Sequence, residues 1–436
     1  MERSLLQRVG TLLYLVHPNT TTFSSVDQVP NYIHEAIPLM LFITFLEFTV
    51  LYMLGKPTRL GQLNSSLGCA LFSEVPTLVV TGASLIGYDW IFKFRLWDLP
   101  WDSPYTWLGA FTGIDFCYYW IHRANHELNI LWAIHQVHHS SEDYNFGTAM
   151  RNSVFQRATN LAFYYPLALL GLPLPTIAVH IAFNYLFQFW LHTELVGNLG
   201  PIEWFFITPS HHRVHHGANK WCLDKNYGSV LVIWDRFFGT FEAERNNEEI
   251  VYGLTNQPQT YNVIWHQFFY FVEVYRKARS MSTWGDSLKA LFYGPGWTPG
   301  MPRLGDPSTF TDVKAPRVKY DPRMSLWMFL YIVSHLALAL LAQHWTVSHY
   351  MMVPSSTVFS VIIFVCVTVS VMSALFDRWP WAPVVETARC AACILCFTTR
   401  IIFIPAMDTA ILVVFSASLL YWTMMLSFSI MTKKIK

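Results

Sequence analysis

The sequence predicts an all-α polytopic membrane protein: a helical transmembrane bundle with a cytosolic histidine-box cap that holds a di-metal centre. Three observations carry the prediction. Hydrophobic residues make up 53% of the 436 and charged residues only 13%, a balance outside that of soluble globular domains. Apolar runs of bilayer-spanning length recur along the chain. Three histidine-rich pentads, HRANH at 122–126, HQVHH at 135–139 and HRVHH at 212–216, flank those runs. The net charge of +1, without a clustered basic excess, gives no reason to expect a nucleic-acid partner.

The elements follow in order. The opening MERSLLQRVGTLLYLVHPNTTTF has a short apolar run and no small-residue cleavage site, so it is read as retained. Runs at 36–54, 69–88 and 104–121 are each long enough to cross a bilayer. From 161 to 191 the apolar stretch is broken by GLPLP at 171–175, because proline removes a helical N–H and its ring crowds the preceding turn. A hairpin results, its first limb rather short for a full crossing. A polar, motif-rich stretch covers 192–324. Within it, 262–290 mixes aromatic and basic residues at helical spacing, as either a headgroup-layer helix or a packed helix of the cap. Four more runs at 325–343, 352–375, 386–404 and 408–430 make nine helices, with the hairpin counted as two. The chain is divided into N-terminal membrane helices (1–103), a core bearing the histidine pentads (104–242), a cytosolic or interfacial cap (243–324) and a C-terminal four-helix membrane segment (325–436).

The terminal KKIK (Lys433, Lys434, Ile435, Lys436) is either a basic stop after a membrane helix or, as it resembles, a dilysine retrieval signal of the endoplasmic reticulum. The second reading places the tail in the cytosol. Alternation across nine helices then puts 55–68, 122–160 and 192–324 on the cytosolic face, where basic residues such as Lys56, Arg59, Arg123 and Arg213 agree with the positive-inside tendency; Lys93 and Arg95 in the opposite loop weaken it. Asn19 becomes a lumenal glycosylation candidate and Asn64 does not. The seven cysteines have no scaffold spacing, so disulfides are not expected, and CAACILC at 390–396 reads as small residues on a buried helix in preference to a metal site.

The histidines carry the chemistry. In HRANH, His122 and His126 are spaced i, i+4, which on a helix places both imidazoles on one face. In HQVHH, His135 and His139 converge in the same way while His138 is offset toward a neighbouring ion; HRVHH repeats the pattern with His212, His215 and His216. Eight nitrogens exceed the four to six that one first-row ion takes, so two ions are the economical solution. In VHIAFNYLFQFWLHTEL the polar residues His180, Asn184, Gln188 and His192 recur every four positions on an apolar helix, a stripe that must face partner groups or a cavity. His192, nearest the pentads, is the candidate ninth ligand; Asn184 and Gln188 would support it or line the substrate cavity, His180 is an interior histidine and His211 a neighbour of the ligands. Asp115, on the same helical face as His122, is expected to hold a ligand imidazole N–H. Glu127 is open between ligand, supporting base and solvated acid. Asp143, Asp224 and Asp235 are expected in structural salt bridges.

A nearly all-imidazole donor set suits zinc, copper, nickel or iron, and does not choose among them. The three pentads, with the downstream DKNYGSVLVIWDRFFGTF, resemble the histidine boxes and closing segment of the fatty acid hydroxylase and sterol desaturase superfamily over roughly 104–242. That resemblance implies a membrane-embedded non-haem enzyme using O2, with two Fe ions held by His122, His126, His135, His138, His139, His212, His215 and His216. Beyond this segment the chain continues with VYGLTNQP, GPGWTPG and four apolar runs. In that longer pattern it resembles a tetrahydrobiopterin-dependent branch, which implies hydroxylation of the ether-bearing carbon of 1-O-alkylglycerols and alkyl lysolipids drawn from the bilayer. The product would be a hemiacetal that releases a fatty aldehyde. No segment reads as a pterin site, and the C-terminal helices show no identifiable chemistry. The alternatives left open are a sterol oxidase, fatty acid hydroxylase or desaturase of the same superfamily and, more remotely, a bis-histidine haem protein or a metal transporter. A transporter would carry its ligands near the midplane of several helices, and here they cluster at helix ends.

Overall fold

The computed structural model describes residues 3–56, 59–74, 77–322, 324–349, 352–399 and 407–434. It is built of helices, as expected where a backbone in lipid must satisfy its own N–H and C=O groups. In chain order they are α1 (Leu5–Leu12), α2 (Tyr32–Met53), α3 (Leu60–Ser73), α4 (Thr77–Phe92), α5 (Pro104–Glu127), α6 (Asn129–His139), α7 (Phe146–Ala149), α8 (Gln156–Leu161), α9 (Tyr165–Leu169), α10 (Leu174–Leu191), α11 (Pro209–His216), α12 (Ile233–Phe238), α13 (Val263–Arg279), α14 (Trp284–Phe292), α15 (Leu326–Ser348), α16 (Ser355–Phe376), α17 (Ala382–Thr398) and α18 (Asp408–Lys434). Among the described residues, five helical segments are long and apolar enough to cross a membrane: Val26–Met53, Leu174–Leu191, Leu326–Ser348, Ser355–Phe376 and Asp408–Phe428.

Five is fewer than the nine expected, and each difference has a cause. The run at 69–88 is split: α3 ends at Ser73 and α4 begins at Thr77, with Glu74 charged and Val75 and Pro76 outside the described residues. The first limb of the hairpin breaks into α8, a 3-10 turn at Ala162–Tyr164 and the five-residue α9. Its turn at Gly171 has φ +85°, and a Cβ there would lie 1.9 Å from the Trp97 carbonyl oxygen, so only glycine fits. Helix α5 is long, but its 104–121 run dilutes the apolar residues with Asp115, two threonines, two glycines and three tyrosines, and α17 has 17 residues, with 400–404 of its predicted run outside the described residues. Ile435 and Lys436 of the terminal motif also lie outside them. The stretch 262–290 forms two helices, α13 and α14. Asn64 is buried in α3.

The chain forms two compact units. The first comprises Met1–Arg59, Pro76–Gln257 and Gln267–Lys319, the second Leu60–Val75, Pro258–His266 and Tyr320–Lys436. In the first unit α10 is the central strut, packing on α1, α2 and α5, while α5 also packs on α6. One core gathers Ala110, Ile114 and Ile121 of α5 with Leu167, Leu172 and Ile177; another gathers Leu12, Tyr32 and Ala36 with Val179, Phe183 and Leu186. These clusters fix α5 and α10, the two long helices whose ends carry His122, His126 and His192.

In the second unit α3 and α15–α18 pack together. Its interior is not purely apolar. Arg389 and Glu386 of α17 form a bidentate pair at 2.7 Å; Arg389 also donates to Thr368 and His335 at 3.0 Å, and Tyr331 donates to Glu386. Cys390 and Cys393 are buried and Cys396 half-buried, all three as free thiols, and none of the seven cysteines is bonded to another. CAACILC is thus part of a buried helix face.

Candidate metal centre

The structure brings all nine predicted histidines together in two groups. His122, His126, His135, His139 and His215 form one, His138, His192, His212 and His216 the other; within each group the candidate ligand atoms lie within 4.8 Å of one another. The pentads on α6 and α11 interlock. In α6 the outer pair, His135 and His139, enters the five-histidine group and the middle His138 crosses to the four-histidine group. In α11 the sense reverses, with His212 and His216 in the four-histidine group and His215 in the five-histidine group. Helical geometry explains the split: residue i+4 lies about 40° from residue i on one side and residue i+3 about 60° on the other. One short helix therefore serves two adjacent centres.

The nitrogens converge at the separation a bound ion needs. In the four-histidine group, Nε2 of His192 lies 3.2, 3.1 and 3.2 Å from Nε2 of His138, His212 and His216. In the other group, Nε2 of His135 lies 3.1 Å from that of His122 and 3.3 Å from that of His139. Two imidazoles bound about 2.1 Å from one ion are separated by about 3.0 Å at right angles and about 3.4 Å at tetrahedral angles.

The ring protons point outward. Nδ1 of His122 donates to the Tyr227 carbonyl at 2.9 Å, His215 to Lys225 at 2.8 Å, His138 to Arg151 at 3.1 Å and His192 to Gln188 at 2.8 Å, while His135 faces the Gln156 side-chain oxygen at 3.1 Å. A carbonyl only accepts, so the proton sits on Nδ1 and the Nε2 lone pair faces the group, as in metal-ligating histidines. Nε2 of His126 and of His215 is buried with no hydrogen-bond partner. Burial first, then neighbouring imidazoles, holds His122, His135, His139, His212, His215 and His216 well below the ordinary histidine value; His138 is pushed down to about 4. At neutral pH they are uncharged ligands. The donor set, its spacing and its orphaned nitrogens fit two ions.

The carboxylates fall elsewhere. Asp115 does not hold a ligand imidazole: it accepts from Ser229 Oγ (2.7 Å), the Val230 and Leu231 amides (2.9 and 3.2 Å) and Trp234 Nε1 (2.9 Å). Its job is to fix the 229–234 loop to α5, and the imidazole protons it was expected to accept go to backbone carbonyls. Glu127 is clamped between Arg123, at 2.7 Å, and Arg303, so its oxygens are engaged by guanidiniums rather than aimed at the histidines. Asp143 pairs with Arg59 and Lys319, both at 3.0 Å. Asp235 uses no ion pair with Arg236; it accepts from the Tyr227 and Gly228 amides and from Thr240. Asp224 stands 3.5 Å from Nδ1 of His126. His180 meets Tyr14 at 2.6 Å and His211 stands 3.7 Å from Glu203, both outside the two groups. Asn184 bonds Ser229 and Gln188 at 2.7 Å, and Tyr118 donates to Gln188 at 2.6 Å, which makes the α10 stripe a bracket behind His192.

Two supporting residues escape sequence reasoning. Gln156 orients His135, and the fully buried Arg151 ties the carbonyl of Val137 and the hydroxyl of Ser140 to the segment whose carbonyl receives His138. Neither has a spacing that would single it out.

Fold and site together define a helical polytopic membrane protein with a buried polyhistidine centre suited to two ions. The family model for fatty acid hydroxylase matches residues 107–240, and that for the alkylglycerol monooxygenase C-terminal domain matches 328–413. Alkylglycerol monooxygenase of Homo sapiens is 40% identical over 424 residues, 96% of this chain and 95% of the relative, and that of Caenorhabditis elegans is 34% identical over 91% and 82%. Lathosterol oxidase of Rattus norvegicus, 26% identical, covers only 39% of this chain. The chain belongs to the alkylglycerol monooxygenase family. No solved structure gives a significant match.

Proposed function

We propose that this protein is a non-haem di-iron monooxygenase that hydroxylates the ether-bearing carbon of 1-O-alkylglycerols and alkyl lysolipids with O2 and tetrahydrobiopterin. The observation that carries the reading is the pair of buried histidine groups in a chain 40% identical, over nearly its whole length, to human alkylglycerol monooxygenase. His122, His126, His135, His139 and His215 would hold one iron, and His138, His192, His212 and His216 the other. Bound there, the irons and the pterin would supply oxygen activation and the two electrons that turn O2 into one inserted oxygen atom and one water. The chain's own part is to aim the imidazoles, with backbone carbonyls that only accept fixing the ring protons of His122, His138, His192 and His215 on Nδ1, and to shield the cluster from bulk water. The attacked carbon is the one beside the ether oxygen, whose lone pair weakens the C–H bond. The resulting hemiacetal collapses to a fatty aldehyde and a glycerol compound.

The substrate would enter from the bilayer, its alkyl chain among apolar helices and its glycerol end near the histidines. Counting α17 with its three spanning neighbours, four crossings separate the histidines from KKIK, so both would face the cytosol if the tail is a retrieval signal of the endoplasmic reticulum. Purified protein given 1-O-alkylglycerol, O2 and tetrahydrobiopterin should release aldehyde. Turnover with a cytochrome electron donor but none with the pterin would favour a sterol oxidase, fatty acid hydroxylase or desaturase instead.

A further inference from the structure

The loop 224–228 is held in a fixed shape. Asp224 and Asn226 both take the left-handed conformation, at φ 59° and 54°, a state that among side-chain-bearing residues Asp and Asn tolerate best. Asn226 is held four times: its amide donates to Thr240, its side-chain nitrogen to the carbonyls of His211 and Glu242, and its side-chain oxygen accepts from the Glu242 amide. Tyr227, which follows, is pinned on both sides, its amide to Asp235 at 2.7 Å and its carbonyl by His122 at 2.9 Å.

The effect is to seat the Tyr227 ring against the five-histidine group. It is 1% exposed, with its centroid 5.2 Å from His126, 5.8 Å from His122 and 6.1 Å from His215. Its hydroxyl is buried with no hydrogen-bond partner. Three other tyrosines around the site use theirs: Tyr118 on Gln188, Tyr119 with Thr240 and Tyr144 on the Leu191 carbonyl. A buried hydroxyl without a partner is rare in folded proteins and calls for an unseen one. Phenylalanine would pack the same ring without that penalty.

We propose that the Tyr227 hydroxyl donates a hydrogen bond to the small non-protein ligand, of dioxygen or azide size, that fills the position five imidazoles leave open on a six-coordinate ion. The inference rests on the two-ion reading and gives Tyr227 a role as direct donor to the reacting ligand. The probe is azide, added to the purified full chain carrying its two metals. In Tyr227→Phe the metal content should stay at the wild-type level, azide should bind about tenfold more weakly, and the shift of the azide stretching band in D2O seen with the wild-type chain should vanish. Unchanged azide affinity and an unchanged isotope shift, with metals in place, would mean that the hydroxyl meets only a buried water, and would overturn the proposal. If the variant loses metal, fluorotyrosine incorporation decides: a stronger donor of the same shape must move the azide band, and a stationary band overturns the proposal. A wild-type chain that binds no metal fails differently, by removing the two-ion reading itself.

Discussion

Because the pentads of α6 and α11 each feed both groups, the structure predicts which histidine pairs behave as one site. His138 and His139 are neighbours in sequence but belong to different groups; His138 and His212 lie far apart in sequence yet share one. Tetrahedral zinc sites bind with roughly 10–16 kcal/mol over four ligands, or about 2.5–4 kcal/mol each, which is on the order of 100- to 1000-fold in affinity per ligand. His138→Ala/His212→Ala should therefore strip one ion from the four-histidine group, leaving two ligands there and the five-histidine group intact. The metal count of folded chain, after dialysis against a micromolar chelator, should fall from two to one. His138→Ala/His139→Ala weakens both groups, to three and four ligands, so once chelator is raised past the level that empties a four-imidazole site its count should fall below one, while the first variant, with five imidazoles intact, stays at one. Both variants lose activity, so the count separates them. If the sequence-adjacent pair keeps one ion and the distant pair loses both, the assignment of His138 is wrong.

Other outcomes follow from single contacts. Asp115→Ala abandons four donors, at about 1 kcal/mol each on the low side, so thermal unfolding in detergent should show a loss of about 4 kcal/mol while the folded fraction keeps its metal; an unchanged midpoint with metal lost would restore the ligand-orienting role. His211→Ala should cost less than about tenfold in aldehyde release, because His211 joins neither group, whereas His135→Ala and His216→Ala should abolish it. Near-normal activity in either of the latter contradicts the ligand assignment. Glu386→Ala strands a buried guanidinium and should destabilise the protein by about 3–5 kcal/mol, and replacing both members of the Arg389–Glu386 pair by leucine should recover most of it, as read from unfolding midpoints.

The parts of the site carried by helical spacing were legible from residue types alone. Spacing i, i+4 placed His135 and His139 on one face, and the offset of His138 pointed to a second ion. The period of four along α10 found His192. What could not be read was anything set by contacts distant in sequence or by the main chain. A carboxylate inside an apolar run announces that Asp115 has partners, but its four donors lie 114 to 119 positions away. The acceptors of the ring protons on His122, His138, His192 and His215 are backbone carbonyls, which leave no mark in a sequence. The helix count failed for a related reason. Apolarity shows which segments tolerate lipid, and breaks such as the hydrogen-bonded turn at Gly171 decide how many are continuous. The Arg389–Glu386 pair stands at i, i+3 on α17, but its partners His335 and Thr368 lie on α15 and α16, 54 and 21 positions away, so the network they complete left no pattern.

The interlocking of α6 and α11 also bears on how the centre assembles. If each pentad served one ion, either ion could be bound by a partly formed site. Here the five-histidine group draws on α5, α6 and α11, and the four-histidine group on α6, α11 and the end of α10. Neither group gathers its ligands until α6 and α11 face each other, and that one arrangement completes both. Metal binding at one group should therefore preorganise the other, because it already meets the entropy cost of docking the two helices. The second ion should bind more tightly than its ligand count alone would give. A titration that fits two independent sites, with the four-histidine group filling as it would on its own, would show that the helices are docked before metal arrives.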